Sequence, residues 1–535
     1  MTHINQSGQS GAVAQQQALK RTEEPAQDSH AERPHDDQHA TRQAYWRAQG
    51  QPWRTEPEPE RARQEWLEAR RAVLADPHRG FYPFKGMKLD RADVEWLLAT
   101  HENGKGPVDW RDEAQQRRQG LDLRGAILSG SASQSTDLRG LPLSRLQGGL
   151  TREQWSGWTR ANKELLAQSA MNLEATDLFG THLEGANLTS ACLKRADLRL
   201  AGLDGANLVN AQLEEANLTG AHLEEANLTG AHLEGAYLTG AELTKANLHG
   251  ANLTQATLFG TQLKEAYLVG AGLEKVNLTG AQLEGANLRR ARLGRAILSG
   301  TLAGIDLTEA LLADENGIGP RLAAVQWGNI DLSTIDWSQI KQLDDEYIAY
   351  QEKEKHKGQK DAFPQLDAFK QAVKAYRRLA LALRTQGLYE EAANFSYRAH
   401  ILQREVLWCH IGLKRDAEKQ EQRGQAFSSR LPQLSKYLFS SFLYFTTGYG
   451  YKPWRSVITY LLVIIAFTFA YSAFAHVLLL PTALILSITG FHGCGFFVAQ
   501  TSANIPALLL ALEAVVGLLI EVCYIVVFTK RFLEQ

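Results

Sequence analysis

The sequence predicts a mainly β solenoid joined to α-helical segments and two transmembrane helices. Two observations carry that reading. From Leu173 to Leu298 a Leu stands at every fifth residue, 26 units without a miss, with Ala two residues earlier in 21 of them. Five is divisible neither by 3.6 nor by 2, so the stretch is neither an amphipathic helix nor an alternating strand. A short fixed period instead marks units that bury their apolar residues only by stacking on neighbours. Near the other end, Val457–Leu480 and Ile505–Thr529 hold 24 and 25 residues with no Lys or Arg. A helix of either length exceeds the roughly 30 Å hydrocarbon core of a bilayer.

Residues 1–40 are polar, rich in Gln, His and Asp, and lack an apolar core. A disordered tail with no secretory signal is expected there. Residues 41–118 bring aromatics (Tyr45, Trp46, Trp53, Trp66, Phe81, Tyr82, Phe84, Trp96) and two helical patterns, Glu60–Ala75 and Arg91–Thr100. They read as a small α-rich region that packs against the open end of the solenoid, because a terminal repeat needs a cap.

The solenoid is placed at 119–340, with its regular core at 171–300. Leu123, Leu128, Leu138 and Leu143 lie on the same five-residue grid as Leu173. Residues 144–170 read as an insertion: Thr151-Arg-Glu-Gln154 has the form of a capping box, and Trp155, Trp158, Leu165 and Leu166 follow at helical spacing. That insertion is expected to lie as a helix on a neutral wall. After Leu298 the grid slips by one residue, to Leu307 and Leu312.

The tandem Ala-(Asp/Asn)-Leu-x-x units resemble the pentapeptide-repeat family. The resemblance implies a right-handed quadrilateral β-helix of four pentapeptides per coil, with the Leu and the small residue inside. Stacking by twenty then sorts the outward positions into walls. Glu174, Lys194, Glu214, Glu234 and Glu274 share one wall, and Glu184, Asp204, Glu224, Lys264 and Glu284 the opposite one. The two walls between are nearly neutral and rich in Thr, as at Thr219, Thr239, Thr189 and Thr229. Some members of the family mimic DNA and block topoisomerases. Here 10 basic against 14 acidic residues over 171–300 leave only −4, so a solvated acidic wall is the competing reading. The net charge of −2 for the whole chain argues against dedicated nucleic-acid binding.

Residues 341–430 read as a helical linker. Tyr376, Leu379, Gly387, Tyr389, Ala392 and Ala393 resemble one tetratricopeptide-like helix–turn–helix, either a plain hairpin or a groove for a partner peptide. Residues 431–456 form a membrane-entry segment containing Thr446-Thr447-Gly448-Tyr449-Gly450, and 457–535 the membrane module. Arg430, Lys436, Lys452 and Arg455 precede the first span, and Lys530 and Arg531 follow the second. Both ends are therefore expected in the cytosol, with the protein in the plasma or inner membrane.

Between the spans, Pro481–Phe497 is apolar but broken by Gly490, Gly493 and Gly495. The order span, apolar segment, Gly-x-Gly, span resembles the two-helix pore module of potassium-type ion channels. That resemblance implies a pore helix at Leu484–Thr489, a filter at Phe491, His492, Gly493, Cys494 and Gly495, and a homotetramer. The Thr, Val and Tyr of such filters are replaced by Phe491, His492 and Cys494. Glu513 and Glu521 are intramembrane carboxylates, which face either a pore or a hydrogen-bonded packing site.

No P-loop, His-Glu-x-x-His or nucleophile-elbow motif is present, and the four Cys form no metal-ligand pattern, so no enzyme activity and no cofactor or metal are expected. Three readings remain: a channel-like pore with a sensing coil, a non-conducting membrane-tethered scaffold whose walls bind an unknown protein, and a DNA-mimicking topoisomerase binder. Membrane lipid is expected among the partners.

Overall fold

The computed structural model describes residues 36–77, 79–115, 117–129, 136–150, 167–356, 363–417, 426–474, 480–492 and 504–533. Two compact units divide the chain: Met1–Asp314 with Gln326–Ile330, and Glu315–Val325 with Asp331–Gln535.

In the first unit the fivefold pattern closes into a four-sided coil. Single parallel bridges join residues twenty apart, as in Asn187↔Asn207↔Asn227↔Asn247 and Cys192↔Gln212↔His232↔Asn252. Backbone bonds of about 2.7–3.0 Å run coil to coil, such as Leu203 N to the His222 carbonyl at 2.7 Å. Every Leu of the regular run, and every Ala two residues before it, is buried; most have no exposed surface. Where Thr replaces the Ala, its hydroxyl finds a main-chain acceptor. Thr176 donates to the Leu128 carbonyl at 3.1 Å, Thr181 to Leu138 at 3.1 Å and Thr261 to Leu238 at 2.8 Å. A buried hydroxyl is tolerated only with such a partner.

The corners explain the rest of the repeat. The residue two past each Leu turns through positive φ, whether Gly or not: Gly240 at 65°, Asn210 at 54°, Leu200 at 55°. The Asn before each Leu accepts from the backbone N–H two residues on, as Asn227 does from Thr229 at 3.1 Å and Asn247 from His249 at 3.1 Å. That local bond pins the turn. The Asn ladder is thus structural.

Upstream, the coil begins as the grid says, with Leu123, Leu128, Leu138 and Leu143 buried. The interruption is narrower than 144–170. Residues 144–150 continue the coil: Gln147 bridges Asp122 on one side and Asn187 on the other, and Leu146 and Leu150 are buried. Large and small have exchanged places there. Gly148 takes the Leu slot, and a Cβ on it would meet Leu188 and Met171, while Leu146 takes the small slot. The expected insertion helix, with Trp155, Trp158, Leu165 and Leu166, lies outside the described residues. Downstream the one-residue slip is real, since Asn287 bridges Asp306 and Arg292 bridges Leu311.

The N-terminal region holds helices α1 (Asp36–Ala48), α2 (Arg61–Arg71) and α3 (Arg91–Ala99). Helix α1 starts inside the 1–40 tail, whose first 35 residues lie outside the described residues. Helix α2 stops well short of Ala75. Lys88 bridges Ile127 in parallel and Leu89 N donates to the Ile127 carbonyl at 3.1 Å, so this region supplies the coil's first rung. Trp66, Tyr82, Phe84 and Trp96 are buried, and Tyr82 packs on Leu150; Tyr45 stays exposed. The buried Glu95 anchors the region by accepting from Thr55 N and Glu56 N, both at 2.9 Å, and from Arg91 Nε at 2.7 Å.

The second unit is helical: α4 (Asp344–Lys355), α5 (Phe363–Thr385), α6 (Tyr389–Ala417), α7 (Ala426–Thr447), α8 (Pro453–Phe474), α9 (Leu480–Phe491) and α10 (Asn504–Leu533). Residues 331–340, read as the last of the solenoid, form two 3-10 turns in this unit, capped by Asp331 and Asp336. The α5–α6 hairpin turns at Gly387 (φ 80°), and Tyr376, Leu379, Leu383, Ala392 and Phe395 fill its seam. At 23 and 29 residues its helices are long for a tetratricopeptide pair, and α4 packs on the same hairpin through Tyr350 and Phe369.

Candidate functional site

Helices α8 and α10 are long and apolar enough to cross a membrane, over Pro453–Ala473 and Leu508–Ile525. Helix α9 is too short for that, about 18 Å at 1.5 Å per residue. Its contacts give its direction. Ala483 clusters with Tyr471 of α8 and Leu510 of α10; Phe491 clusters with Ile464 and Ile520. So α9 runs antiparallel to α8 and parallel to α10. His492 ends at the level of Tyr460 and Glu521, while Asn504 begins α10 at the opposite end of the trio.

Two glycines let the three helices approach closely. A Cβ on Gly490 would lie 2.8 Å from Glu513 Oε2, and one on Gly517 would overlap the Phe491 carbonyl oxygen. Between these contacts sits Glu513, with no exposed surface. Tyr471 O–H donates to its Oε2 at 2.7 Å, and Ser487 Oγ–H donates to its Oε1. Each helix thus contributes one member of a buried Tyr–Glu–Ser cluster. Isolated in an apolar setting a carboxyl is costly, and two hydroxyl donors offset that cost.

Glu521 lies about two turns beyond Glu513, half-buried, and meets His492 Nδ1 at 2.6 Å; the other ring nitrogen, Nε2, faces Tyr460 O–H at 3.2 Å. A neutral ring satisfies both contacts, with Nδ1–H donating to the carboxylate and Nε2 accepting from the phenol. Ser456, Tyr460, His492, Glu521 and Tyr524 line a cavity of about 370 Å³, and the Ser456 Oγ is buried without a hydrogen-bond partner.

Of the five filter candidates, Phe491 closes helix α9 instead of starting an extended strand, and its ring stands edge-on to Tyr460 at 4.8 Å. The expected pore helix Leu484–Thr489 is the middle of this longer helix. His492 follows in a turn. Gly493, Cys494 and Gly495 lie outside the described residues. The filter-like Thr446–Gly450 stretch ends α7 and turns through three consecutive positive-φ residues, Gly448, Tyr449 and Gly450. Tyr449 stacks on His400 at 5.0 Å, and Arg455 donates to the Tyr444 carbonyl at 3.0 Å. The loop is clamped onto α6.

On the coil, stacking gathers residues that no linear pattern announces. The side chains of Glu214, His232 and Glu234 bring potential ligand atoms within 4.8 Å of one another. Lys194 already holds Glu214 at 3.1 Å and Asn252 donates to Glu234 at 2.5 Å. The only signal in the sequence is the twenty-residue offset of the two acids. Some acids of the coil are paired with cations, in Arg195–Glu174, Arg292–Glu274 and Arg290–Glu309.

A family model for pentapeptide repeats matches the chain in eight copies, spanning residues 172–300. These are the residues whose Leu and Ala stack inside the coil. Over this stretch the chain is a pentapeptide-repeat protein. Among solved structures, it is similar to the pentapeptide-repeat protein HetL, involved in heterocyst differentiation regulation in Nostoc sp. strain PCC 7120. Identity there is 27%, over 45% of this chain and 98% of that one, with a TM-score of 0.18. A pentapeptide-repeat protein of the Arabidopsis thaliana thylakoid lumen is 40% identical over 19% of this chain and 66% of its own, at a TM-score of 0.12. Full-length QnrB1, a plasmid-mediated fluoroquinolone resistance protein, is 18% identical over 41% and 99%, at 0.21. No curated protein matches the chain significantly. The repeat match ends at residue 300, so the pentapeptide-repeat identity covers the coil and leaves the helical unit to be read from its own geometry.

Proposed function

We propose that this pentapeptide-repeat protein is anchored in the cell membrane by α8 and α10, with its coil in the cytosol. The C-terminal module is laid out as an ion-conducting pore in this reading, and four copies close it. The observation that carries it is the course of α9. An apolar helix of 12 residues enters from the end of the first span, stops part-way along it, and is held between both spans by the Glu513 cluster. A short helix ending in a Gly-x-Gly segment between two spans is the layout of a re-entrant pore segment. Cations flanking the spans at Lys452, Arg455, Lys530 and Arg531 favour both termini in the cytosol.

The test is the assembly state of the full chain in mild detergent, followed by recording in planar bilayers. A tetramer that conducts, and that loses current with Gly493→Ala, supports the reading. A monomer without conductance ends it.

A second reading, a tethered scaffold, is favoured by the exposed aromatics Tyr237, Phe259 and Tyr267 on the otherwise neutral walls. Such side chains are enriched where proteins meet. If the chain is monomeric and silent but captures a partner through a coil intact in wild type and lost in Tyr237→Ser/Phe259→Ser, this reading takes its place. Topoisomerase binding in the manner of a DNA mimic has less support, because 10 basic residues offset most of the 14 acidic ones over 171–300 and leave only −4. Unimpaired gyrase supercoiling in the presence of the protein removes it.

A further inference from the structure

Helix α5 carries Lys370, Lys374, Arg377 and Arg384 at helical spacing (0, 4, 7 and 14), all on one outward face. With Gln403 and His410 of α6 and Gln433 of α7, the first three line a cavity of about 500 Å³. Among the described residues no carboxylate lines it. Arg377 is held by the neutral Gln403 Oε1 at 3.0 Å, and Arg378 beside it donates to the Ala323 carbonyl at 3.0 Å. Glu405, two residues from Gln403, is taken by Lys353 at 2.7 Å. Among the described residues none of the four α5 cations Lys370, Lys374, Arg377 and Arg378 has a carboxylate partner. That contrasts with the coil, where Arg after Arg pairs with an acid.

A smaller cavity of about 270 Å³ continues the groove. It shares Arg377 and adds Arg384, His400 and Tyr451. Tyr451 stands two residues before Pro453, where the first span begins, and Arg384 reaches its hydroxyl at 3.5 Å. The groove therefore runs from the foot of the first span outward along α5 and α6.

Like charges gathered along one groove repel, so leaving them unpaired costs stability unless an anion joins them. The donors suit oxygen anions with several charges: a planar guanidinium that binds two oxygens at once, and ammonium groups on flexible stems. A volume near 500 Å³ is in the range of small-ligand sites. We propose that this groove binds a phosphate-bearing anion, with Lys370, Lys374 and Arg377 as its principal contacts. Two sources share that chemistry, the headgroup of an anionic phospholipid and a soluble phosphate compound.

The experiment uses the full chain in nonionic detergent and three probes: water-soluble dioctanoyl phosphatidic acid, its phosphatidylcholine counterpart, and inorganic tripolyphosphate. Saturable binding of phosphatidic acid or tripolyphosphate, but not of phosphatidylcholine, is expected, and it weakens with added salt. Phosphatidic acid alone identifies a lipid headgroup; tripolyphosphate binding identifies a soluble phosphate. Lys370→Gln/Lys374→Gln/Arg377→Gln is expected to bind at least about tenfold more weakly, and Lys370→Arg/Lys374→Arg to bind as wild type. The side chains changed are exposed, so the melting temperature should hold; if the triple variant does not fold, Lys374→Gln alone serves, with a smaller loss. No saturable binding of either anion, or equal binding by wild type and the Gln variant, overturns the proposal.

Discussion

Gly240 shows how the coil chooses residues. Its φ is 65° and a Cβ there would have open space around it, so any penalty for substitution is backbone strain alone. Gly240→Val should therefore lower stability by about 1–2 kcal/mol, while Gly240→Asn costs less, because Asn210 already adopts the same turn. Thermal unfolding of the two variants checks this. At Asn227 the side chain accepts from both the N–H and the hydroxyl of Thr229. Asn227→Ala should cost about 1 kcal/mol by the same measurement. Asp345 tests a different force. Burial, helped by the neighbouring Asp344 charge, pushes its carboxyl up to about 6, against the N–H of Leu322 at 2.7 Å and the Arg321 guanidinium, which favour the charged form. Unfolded, the group titrates near pH 4, roughly the model-peptide value. The folded chain thus binds the extra proton first, and this group's contribution to stability falls as pH rises from about 4 through about 6. Asp345→Asn should flatten that part of the pH profile of the melting temperature. Glu346 retains some slope, because burial raises its carboxyl too.

Among the elements, α9 is the sharpest case. Gly517→Ala places a methyl on the Phe491 carbonyl and should displace α9 from α10. Glu513→Ala leaves the Tyr471 hydroxyl without its acceptor, at about 1–3 kcal/mol, while Ser487 keeps the Ile464 carbonyl at 3.1 Å; Glu513→Gln keeps an acceptor for Tyr471 and should recover much of the loss. Melting in detergent separates these variants. The two long apolar helices and the short one between them were legible because length and hydropathy are properties of the linear chain. The grip of Tyr471 and Ser487 on Glu513, and of Tyr460 on His492, was not. Those partners stand 42, 26 and 32 residues apart, with no periodicity to relate them. For the same reason the basic face of α5 gained meaning only when Gln403 and His410 of α6 stood opposite it, with no acid among the described lining residues. Residues 144–150 failed in another way. The pattern sought Leu at 148 and found Gly, because the packing volume had moved to Leu146.

For the whole molecule, the regular coil was legible down to its register, since an unbroken period of five in a four-sided coil decides which residues stack; after Leu298 the laps shorten to nineteen, as in Asn287↔Asp306. The interruptions obey the same geometry. Ile127 and Asp137 occupy adjoining walls though ten residues apart, and Gln147 and Asn172 do so across 25. Each excess is a multiple of five, so the chain resumes in phase with its Leu pointing inward.

Such arithmetic bears on how the rod tolerates gain or loss of sequence. Deleting Ala221–Gly240 removes one full lap, and every later residue should keep its compass bearing; the shortened protein should fold with its outer pattern unchanged. Deleting Ala226–Gly230 also preserves the Leu column, yet swings everything downstream through a quarter turn, so that acid-bearing flanks continue into Thr-bearing ones. Both variants should melt cooperatively. A binding partner that spans several laps would recognise only the first, which makes heredity by fives a way of changing the exterior without touching the core.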